Sequence, residues 1–319
     1  MSLKNKSILL TGGAGFIGSY LADRLIQEKP SNLVVVDNFF LGKESNLQEA
    51  KANYPQLKIY HQDASNQKAM ENIIRLENIE IIFNLAVIPL PASLDKPKWS
   101  FEKNVKLTLC LCELARNRAF DTLIHFSSSE VYGSCQYAPM NENHPLNPTT
   151  SYGASKAATD LLVLSYIKSF GIDASIIRPF NNYGARQNDG SYAGIIPLTI
   201  KRILSGDAPV IYGDGKQTRD YVYVADTVDA AVKLYNCDAS RGKIVNIGSG
   251  YETTIEGLVE LIAQHLECNK PIVYREARQG DVQRHIADIS LAQKLIGFKP
   301  KTDLALESTI EWYRRVAKP

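Results

Sequence analysis

The sequence predicts an α/β protein built on a doubly wound parallel sheet, with a smaller α/β region toward its carboxyl end. Three observations predict it. Short apolar runs alternate with helix-patterned stretches over the first 125 residues, the signature of strand–helix–strand units. A glycine-rich turn joins the first run to the first helix pattern. Several runs end in polar or acidic residues, at the carboxyl edge where open sheets of this kind bind ligands.

The first run is Ser7-Ile8-Leu9-Leu10, and the turn is Thr11-Gly12-Gly13-Ala14-Gly15-Phe16-Ile17-Gly18. Its spacing is G-x-x-G-x-x-G rather than the commoner G-x-G-x-x-G. Gly12 allows the tight turn, Gly15 lets backbone approach a pyrophosphate, and Gly18 lets helix pack on strand. The helix that follows, Ser19 to Gln27, would point its N–H groups at the anion. The run Asn32 to Asp37 ends in an acid placed for the adenosine ribose hydroxyls. A carboxylate there repels a 2′-phosphate, so NAD(H) is expected over NADP(H), a preference that Lys43 slightly weakens. This is a Rossmann-type dinucleotide-binding pattern.

Leu57 to Asp63 repeats the strand-then-acid order, and Asp63 is placed for the adenine amino group or, alternatively, caps its own loop. Ile81 to Ala86 reads as a buried strand, and Pro89 and Pro91 in the loop after it predict irregular backbone. A helix is expected from about Trp99 to Asn117, with Asn104 either reaching the site or solvated.

Thr122 to Phe126 reads as a strand that delivers Ser127-Ser128-Ser129-Glu130-Val131-Tyr132-Gly133 to the ligand edge. Tyr152 and Lys156 follow as Tyr-x-x-x-Lys. On a helix they share a face. An ammonium beside a phenol favours the phenolate, so the Tyr152 pKa is expected to fall toward neutrality. Tyr152 is thus a candidate base for an alcohol or sugar hydroxyl. A surface Tyr–Lys pair near a Ser-rich loop is the plainer alternative.

Beyond Lys156 the helix runs to about Phe170, and Asp173 to Arg178 forms the next strand. The regular alternation then breaks down. Pro179-Phe180-Asn181-Asn182-Tyr183-Gly184 is an amide-rich loop, Val210 to Gly215 a strand and turn, and Gln217 to Val224 a single alternating strand with Arg219 at its start. Val245 to Gly248 is a short strand, Ile255 to Leu266 an amphipathic helix, and Leu304 to Arg315 a last helix. Arg275, Arg278, Asp281 and Arg284 gather near the end. The expected organisation is a dinucleotide-binding domain over 1–178, with elements returning near 220–250, and a mainly substrate-binding region over 179–319.

The bulk numbers set limits. Hydrophobic content of 45% and charged content of 22% are ordinary for a soluble enzyme, and a net charge of +2 gives no general attraction to nucleic acid or membrane. Cys110, Cys112, Cys135, Cys237 and Cys268 lack metal-ligand spacing and are expected as reduced, buried thiols. No metal site is expected. The amino terminus shows no signal peptide and no run is long enough to span a bilayer, so the expected location is cytoplasmic.

With the glycine turn, Asp37, Asp63, Ser128, Tyr152 and Lys156 in register, the chain resembles the extended short-chain dehydrogenase/reductases, in the nucleotide-sugar epimerase/dehydratase branch. Pro179 to Gly184, Arg219-Asp220-Tyr221 and Gly280-Asp281-Val282 carry the resemblance through the second half. It implies a tightly held NAD+ and a nucleotide-diphosphosugar substrate. It implies Tyr152 as base at the sugar O4, Lys156 as its electrostatic partner and ribose ligand, and Ser128 as a donor to O4. It extends the cofactor contacts to Phe16, Ile17, Asn38, Ala64, Leu85, Ala86, Asn104 and Pro179. Asn181, Arg219 and Arg278 match positions that hold the substrate diphosphate, a task that suits guanidinium groups; surface salt bridges are the alternative for the two arginines. A homodimer through the helices near 100–117 and 153–170 is implied as well.

Members of that branch begin alike, by oxidising C4. The pair Ser129-Glu130 resembles the Ser-Glu form of certain 4,6-dehydratases, and a carboxylate there could remove the acidified C5 proton. The expected reaction is therefore nucleotide-sugar 4,6-dehydration. The alternatives are 4-epimerisation or decarboxylation of UDP-glucuronate, and Glu130 could instead stabilise its turn. A non-catalytic NAD sensor and a dehydrogenase that releases NADH are readings from other classes.

Overall fold

The apolar runs become the strands of one sheet. In the computed structural model, which describes residues 1–190, 192–277 and 282–316, the first six strands are β1 (Ser7–Thr11), β2 (Asn32–Asp37), β3 (Lys58–His61), β4 (Ile81–Asn84), β5 (Thr122–Phe126) and β6 (Asp173–Pro179). They lie parallel in the order β3-β2-β1-β4-β5-β6. That order reverses between β1 and β4, which opens a crevice at their carboxyl ends. β1, β4 and β5 are buried along their whole length, as parallel strands covered on both faces must be.

Helices α1 (Phe16–Ile26), α2 (Gln48–Asn53), α3 (Gln67–Leu76), α4 (Leu90–Asp95), α5 (Pro97–Arg116) and α6 (Ser151–Phe170) connect these strands. α1 buries Leu21 and Leu25 against Ile8, Leu10 and Val35 on one face. On the other, Ile73 and Ile74 of α3, Leu107 and Leu111 of α5 and Val163 of α6 pack on Leu9, Val34 and Ile82. The prolines after β4 do not keep the backbone irregular. Pro91 falls in the first turn of α4, where no intrahelical N–H is required.

Past β6 come β7 (Asn181–Tyr183), α7 (Ile195–Leu204), β8 (Val210–Tyr212), β9 (Thr218–Arg219), β10 (Tyr221–Tyr223), α8 (Val224–Asn236) and β11 (Ile244–Ile247). β11 rejoins the main sheet as a seventh parallel strand beside β6. Val228, Ala231 and Leu234 of α8 bury in the same core as α1. The remaining elements are β12 (Thr253–Thr254), α9 (Ile255–His265), β13 (Val273–Arg275), α10 (Ser290–Ile296) and α11 (Glu307–Val316). Three two-stranded ribbons, β7–β10, β8–β13 and β9–β12, form beside the sheet. A third core joins Ile196 and Ile200 of α7, Leu258 and Ile262 of α9, and Ile310 and Tyr313 of α11.

The single strand expected over residues 217–224 divides at Asp220. Its buried carboxylate accepts from the N–H groups of Ser249, Gly250 and Ala287 and from the Ser249 hydroxyl, at 2.6–3.0 Å. Tying that many donors to one side chain turns the chain. β9 then pairs antiparallel with β12, while β10 pairs parallel with β7.

Candidate active site

A cleft of about 720 Å³ opens along the carboxyl ends of the sheet and runs out between the ribbons. At one end the turn after β1 is fixed by close backbone packing. Gly12 sits at φ +67°, and a Cβ there would come within 2.8 Å of the Ala86 backbone. A Cβ on Gly18 would lie 2.3 Å from the Gly12 carbonyl oxygen. Gly15, Phe16 and Ile17 line the cleft. Gly15 caps α1 without a side-chain partner, and the first turn holds no acid. Orphan N–H groups facing a cleft with no competing carboxylate fit a pyrophosphate.

Asp37 lines this end from the tip of β2. Its oxygens accept from the N–H groups of Ala14 and Phe39 at 2.9 and 2.8 Å. Burial raises its carboxyl above the usual range despite those two bonds. Asn38, Ala64, Leu85, Ala86 and Pro179 also line the cleft. Asp63 does too, but the Lys103 ammonium and the Ser65 N–H occupy its carboxylate. Burial raises that carboxyl, and the bonds from Lys103 and Ser65 outweigh it and hold it low. Asn104 is neither solvated nor in the cleft. Its amide accepts from Ile88 N at 2.7 Å and donates to Ile88 O and Ser155 Oγ, so it clamps the loop after β4 to α6.

The catalytic candidates sit mid-cleft. Thr150 caps α6 through Gly153 N, which places Tyr152 in the first turn and Lys156 one turn on. Ser128, Glu130, Tyr152 and Lys156 line the cleft. Ser129 is buried and lies outside that lining, because the short helical turn over Ser129–Val131 directs it inward. The Ser128 hydroxyl hydrogen-bonds to the Tyr152 phenol.

The phenol does not titrate as the sequence suggests. Burial pushes Tyr152 up to about 12; the Ser128 bond opposes this, while the charges of Glu130 and Asp160 add to it. The Lys156 ammonium donates to the Phe126 carbonyl at 2.5 Å. Burial lowers Lys156 to about 8, and Asp160 opposes that fall. Helical spacing puts the two residues on one face, and one of the three ammonium donors goes to the end of β5.

At the far end Asn181, Arg219, Tyr192 and Tyr212 line the cleft, as do Arg202 and Arg275. Arg219 is buried and donates to the carbonyls of Thr218 and Val282 at 2.9 and 2.6 Å. Arg284 is bound by Glu252 at 2.7 and 2.8 Å and lies outside the lining, as does the exposed Tyr251. Arg278, Gly280 and Asp281 lie outside the described residues. Lys103 and Arg202 are cleft residues that sequence reasoning missed. Arg202 shows only as a charge on a helix whose inward face is set by packing. All five cysteines are free; Cys110 and Cys112 are buried, whereas Cys135, Cys237 and Cys268 are half-buried rather than fully enclosed. Among the described residues no cluster of metal ligands occurs, and no helix is long and apolar enough to cross a membrane.

A doubly wound sheet with this glycine turn, an acid ending β2 and a Ser–Tyr–Lys group mid-cleft defines an enzyme of the extended short-chain dehydrogenase/reductase class. A sequence model of the NAD-dependent epimerase/dehydratase family matches residues 8–248, and the chain belongs to that family, with NAD as its cofactor. Among its relatives is a UDP-glucose 4-epimerase of Mycolicibacterium smegmatis, 34% identical over 96% of this chain and 98% of that one. Another is a dTDP-glucose 4,6-dehydratase of an Actinoplanes species, 32% identical over 96% of this chain and 97% of that one. The solved UDP-glucose 4-epimerase of Thermotoga maritima with UDP-glucose superposes with a TM-score of 0.91, at 32% identity over 97% of this chain and 99% of that one. The chain is thus an enzyme of a group that holds nucleotide-sugar epimerases, dehydratases and decarboxylases.

Proposed function

We propose that this enzyme is a UDP-sugar 4-epimerase. The observation that carries the reading is the supply of carboxylates in the cleft. Among its described lining residues the carboxylates are Asp37, Asp63 and Glu130. The first two belong to the dinucleotide end, so the sugar end offers Glu130 alone.

Epimerisation needs one group that moves the O4 proton twice. Tyr152, held by Ser128, takes that proton and later returns it on the other face. Lys156 supplies positive charge one turn away. NAD+, when bound, supplies the hydride acceptor and donor at C4, and its pyridinium charge favours the phenolate. Ser128 keeps its bond to the sugar oxygen while the ketone turns within the cleft. Asn181 and Arg219 hold the diphosphate, and Gly12, Gly15, Gly18 and Asp37 hold the cofactor.

Dehydration asks for more: a base at C5 and a proton for the departing C6 oxygen. Ser129, the neighbour of Glu130, is buried and cannot give that proton. The names of the relatives above add weight to epimerisation and to a UDP substrate. Glu130 in the cleft favours a second reading, 4,6-dehydration or loss of CO2 from a UDP-uronic acid.

Incubation with UDP-glucose, UDP-N-acetylglucosamine and UDP-glucuronate, and with dTDP- and GDP-sugars, separates these readings by product. C4-inverted sugars are expected. A 4-keto-6-deoxy product would overturn the proposal in favour of dehydration, and CO2 from UDP-glucuronate in favour of decarboxylation. Trp99, Phe101 and Leu109 of α5 and Leu161 of α6 are exposed, which supports a homodimer through these helices; sedimentation as a monomer at micromolar concentration would count against it.

A further inference from the structure

The helix that carries Tyr152 and Lys156 has, besides Lys156, a second buried charged residue on the same face. Asp160 lies one turn beyond Lys156, fully buried and outside the cleft lining. Its Oδ2 accepts from Ser127 Oγ and from Arg178 Nε, both at 2.8 Å. Arg178, itself 2% exposed, also donates to the Tyr132 hydroxyl at 2.8 Å. Tyr132 in turn donates to Asn246 Oδ1 at 2.7 Å. Asp160 Oδ1 accepts no hydrogen bond among the described residues.

The groups around Asp160 come from three elements. From β5 and its end come His125, whose Nε2 is 3.9 Å from Oδ1, and Ser127. From β6 comes Arg178, and from α6 itself Thr159 and Lys156. Glu142 lies beyond Arg178 and its charge is felt there. His125 adds no charge. Asn84 Nδ2 meets its Nδ1 at 3.0 Å and Thr159 Oγ1 its Nε2 at 3.3 Å, and burial holds the imidazole well below its ordinary pKa. Thus the buried floor beneath the phenol holds two cations, Lys156 and Arg178, and one anion.

Arg178 is already held by its two hydrogen bonds. Lys156 is not: its ammonium is buried and donates to the neutral carbonyl of Phe126. An ammonium in so dry a place loses its proton unless an anion stands near. A carboxylate oxygen kept without a donor in a core is equally costly. The two groups stand one helical turn apart on α6, too far for a direct hydrogen bond but close enough for their charges to act on each other.

We propose that Asp160, anchored by Arg178 and Ser127, is the positioning residue that keeps Lys156 charged beneath Tyr152. This rests on the reading of Tyr152 and Lys156 as base and partner. Asp160 touches neither substrate nor cofactor and acts through Lys156 alone.

The test is a pH series on the wild type, Asp160→Asn, Asp160→Glu and the double variant Asp160→Asn/Arg178→Met. The double variant leaves no buried arginine unpaired, so it stays informative if Asp160→Asn fails to fold. Two readouts are taken: turnover of UDP-glucose, and a 13C NMR titration of lysine side chains with Lys156 assigned from Lys156→Met. In the wild type the Lys156 midpoint and the alkaline limb of turnover should lie near 8. Both should move about one pH unit or more toward acid in Asp160→Asn, return in Asp160→Glu, and move less, still toward acid, in the double variant, which removes a cation along with the anion. An unmoved Lys156 midpoint in folded Asp160→Asn, or a midpoint that moves toward alkali in the double variant, overturns the proposal. A wild type that turns over no UDP-sugar sinks the epimerase reading instead, while the NMR midpoint still decides the role of Asp160.

Discussion

The two ends of the cleft are built differently. The dinucleotide end is mostly backbone: a turn whose glycines pack against Ala86 and Gly12 at distances that exclude a Cβ, and a helix start left without a side-chain cap. The substrate end is mostly side chain, with Arg219, Arg202, Arg275, Asn181 and Tyr212 set on strands of two or three residues and on α7. Backbone recognises what every member of a family shares. Side chains on short ribbons can be exchanged without disturbing a sheet, so under the proposed function they are the place for substrate choice to vary. The Ser128–Tyr152–Lys156 group stands at the seam.

The seam should show the largest effect. Tyr152→Phe is expected to lower turnover by about 10³-fold or more while NAD stays bound, as steady-state rates and cofactor content would show; turnover near wild type would mean that another group moves the proton. Acid stability tests the substrate end next. Burial lowers His285 to about 4, with the Arg219 charge adding to the effect. The unfolded chain therefore binds a proton on this histidine that the folded chain refuses as pH falls from about 6.5 toward 4. Stability is lost over that window, by up to about 3 kcal/mol. Denaturant melts of His285→Gln should be flatter with pH than those of the wild type; parallel curves would deny His285 this role.

At the dinucleotide end, Gly18→Ala should destabilise by about 2 kcal/mol and strip bound NAD, because its Cβ would meet a carbonyl that cannot move aside. A thermal shift with and without NAD checks this, and an unchanged melt would show the turn to be pliant. Arg219→Met should raise KM for UDP-glucose by about 10–100-fold and leave NAD content unchanged; a loss of NAD instead would blur the division between the ends. Smallest is Lys43→Ala. The exposed Lys43–Asp189 pair, 2.9 Å apart, should contribute less than about 1 kcal/mol, so melting should shift little and less still in high salt.

Sequence reading went furthest where chemistry and spacing coincide. Gly12, Gly15 and Gly18 before a helix, Asp37 ending a strand, and Ser128 and Tyr152 all reach the cleft. It stopped short where one residue's role depends on a distant partner. Asn104 reads as a polar residue on a helix, yet its amide is spent on Ile88 and Ser155. Asp63 reads as an adenine ligand or a cap of its own loop; it caps through the Ser65 N–H, and Lys103, far along the chain, holds its other oxygen. Residues 217–224 read as one strand, and Asp220 breaks it by binding a loop that folds back from residues 249–250 and 287.

By itself the sequence determined the parallel sheet, the cofactor and the family, because local periodicity and a turn with three required glycines leave few other solutions. Tertiary structure alone decided the charge state of the floor beneath the phenol. Tyr152 and Lys156 are fixed neighbours on any helix, but how far burial raises the phenol and lowers the ammonium depends on how β5, β6 and Asp160 close around them. Desolvation and Coulomb forces are set by surroundings, and those are assembled from residues far apart in the chain.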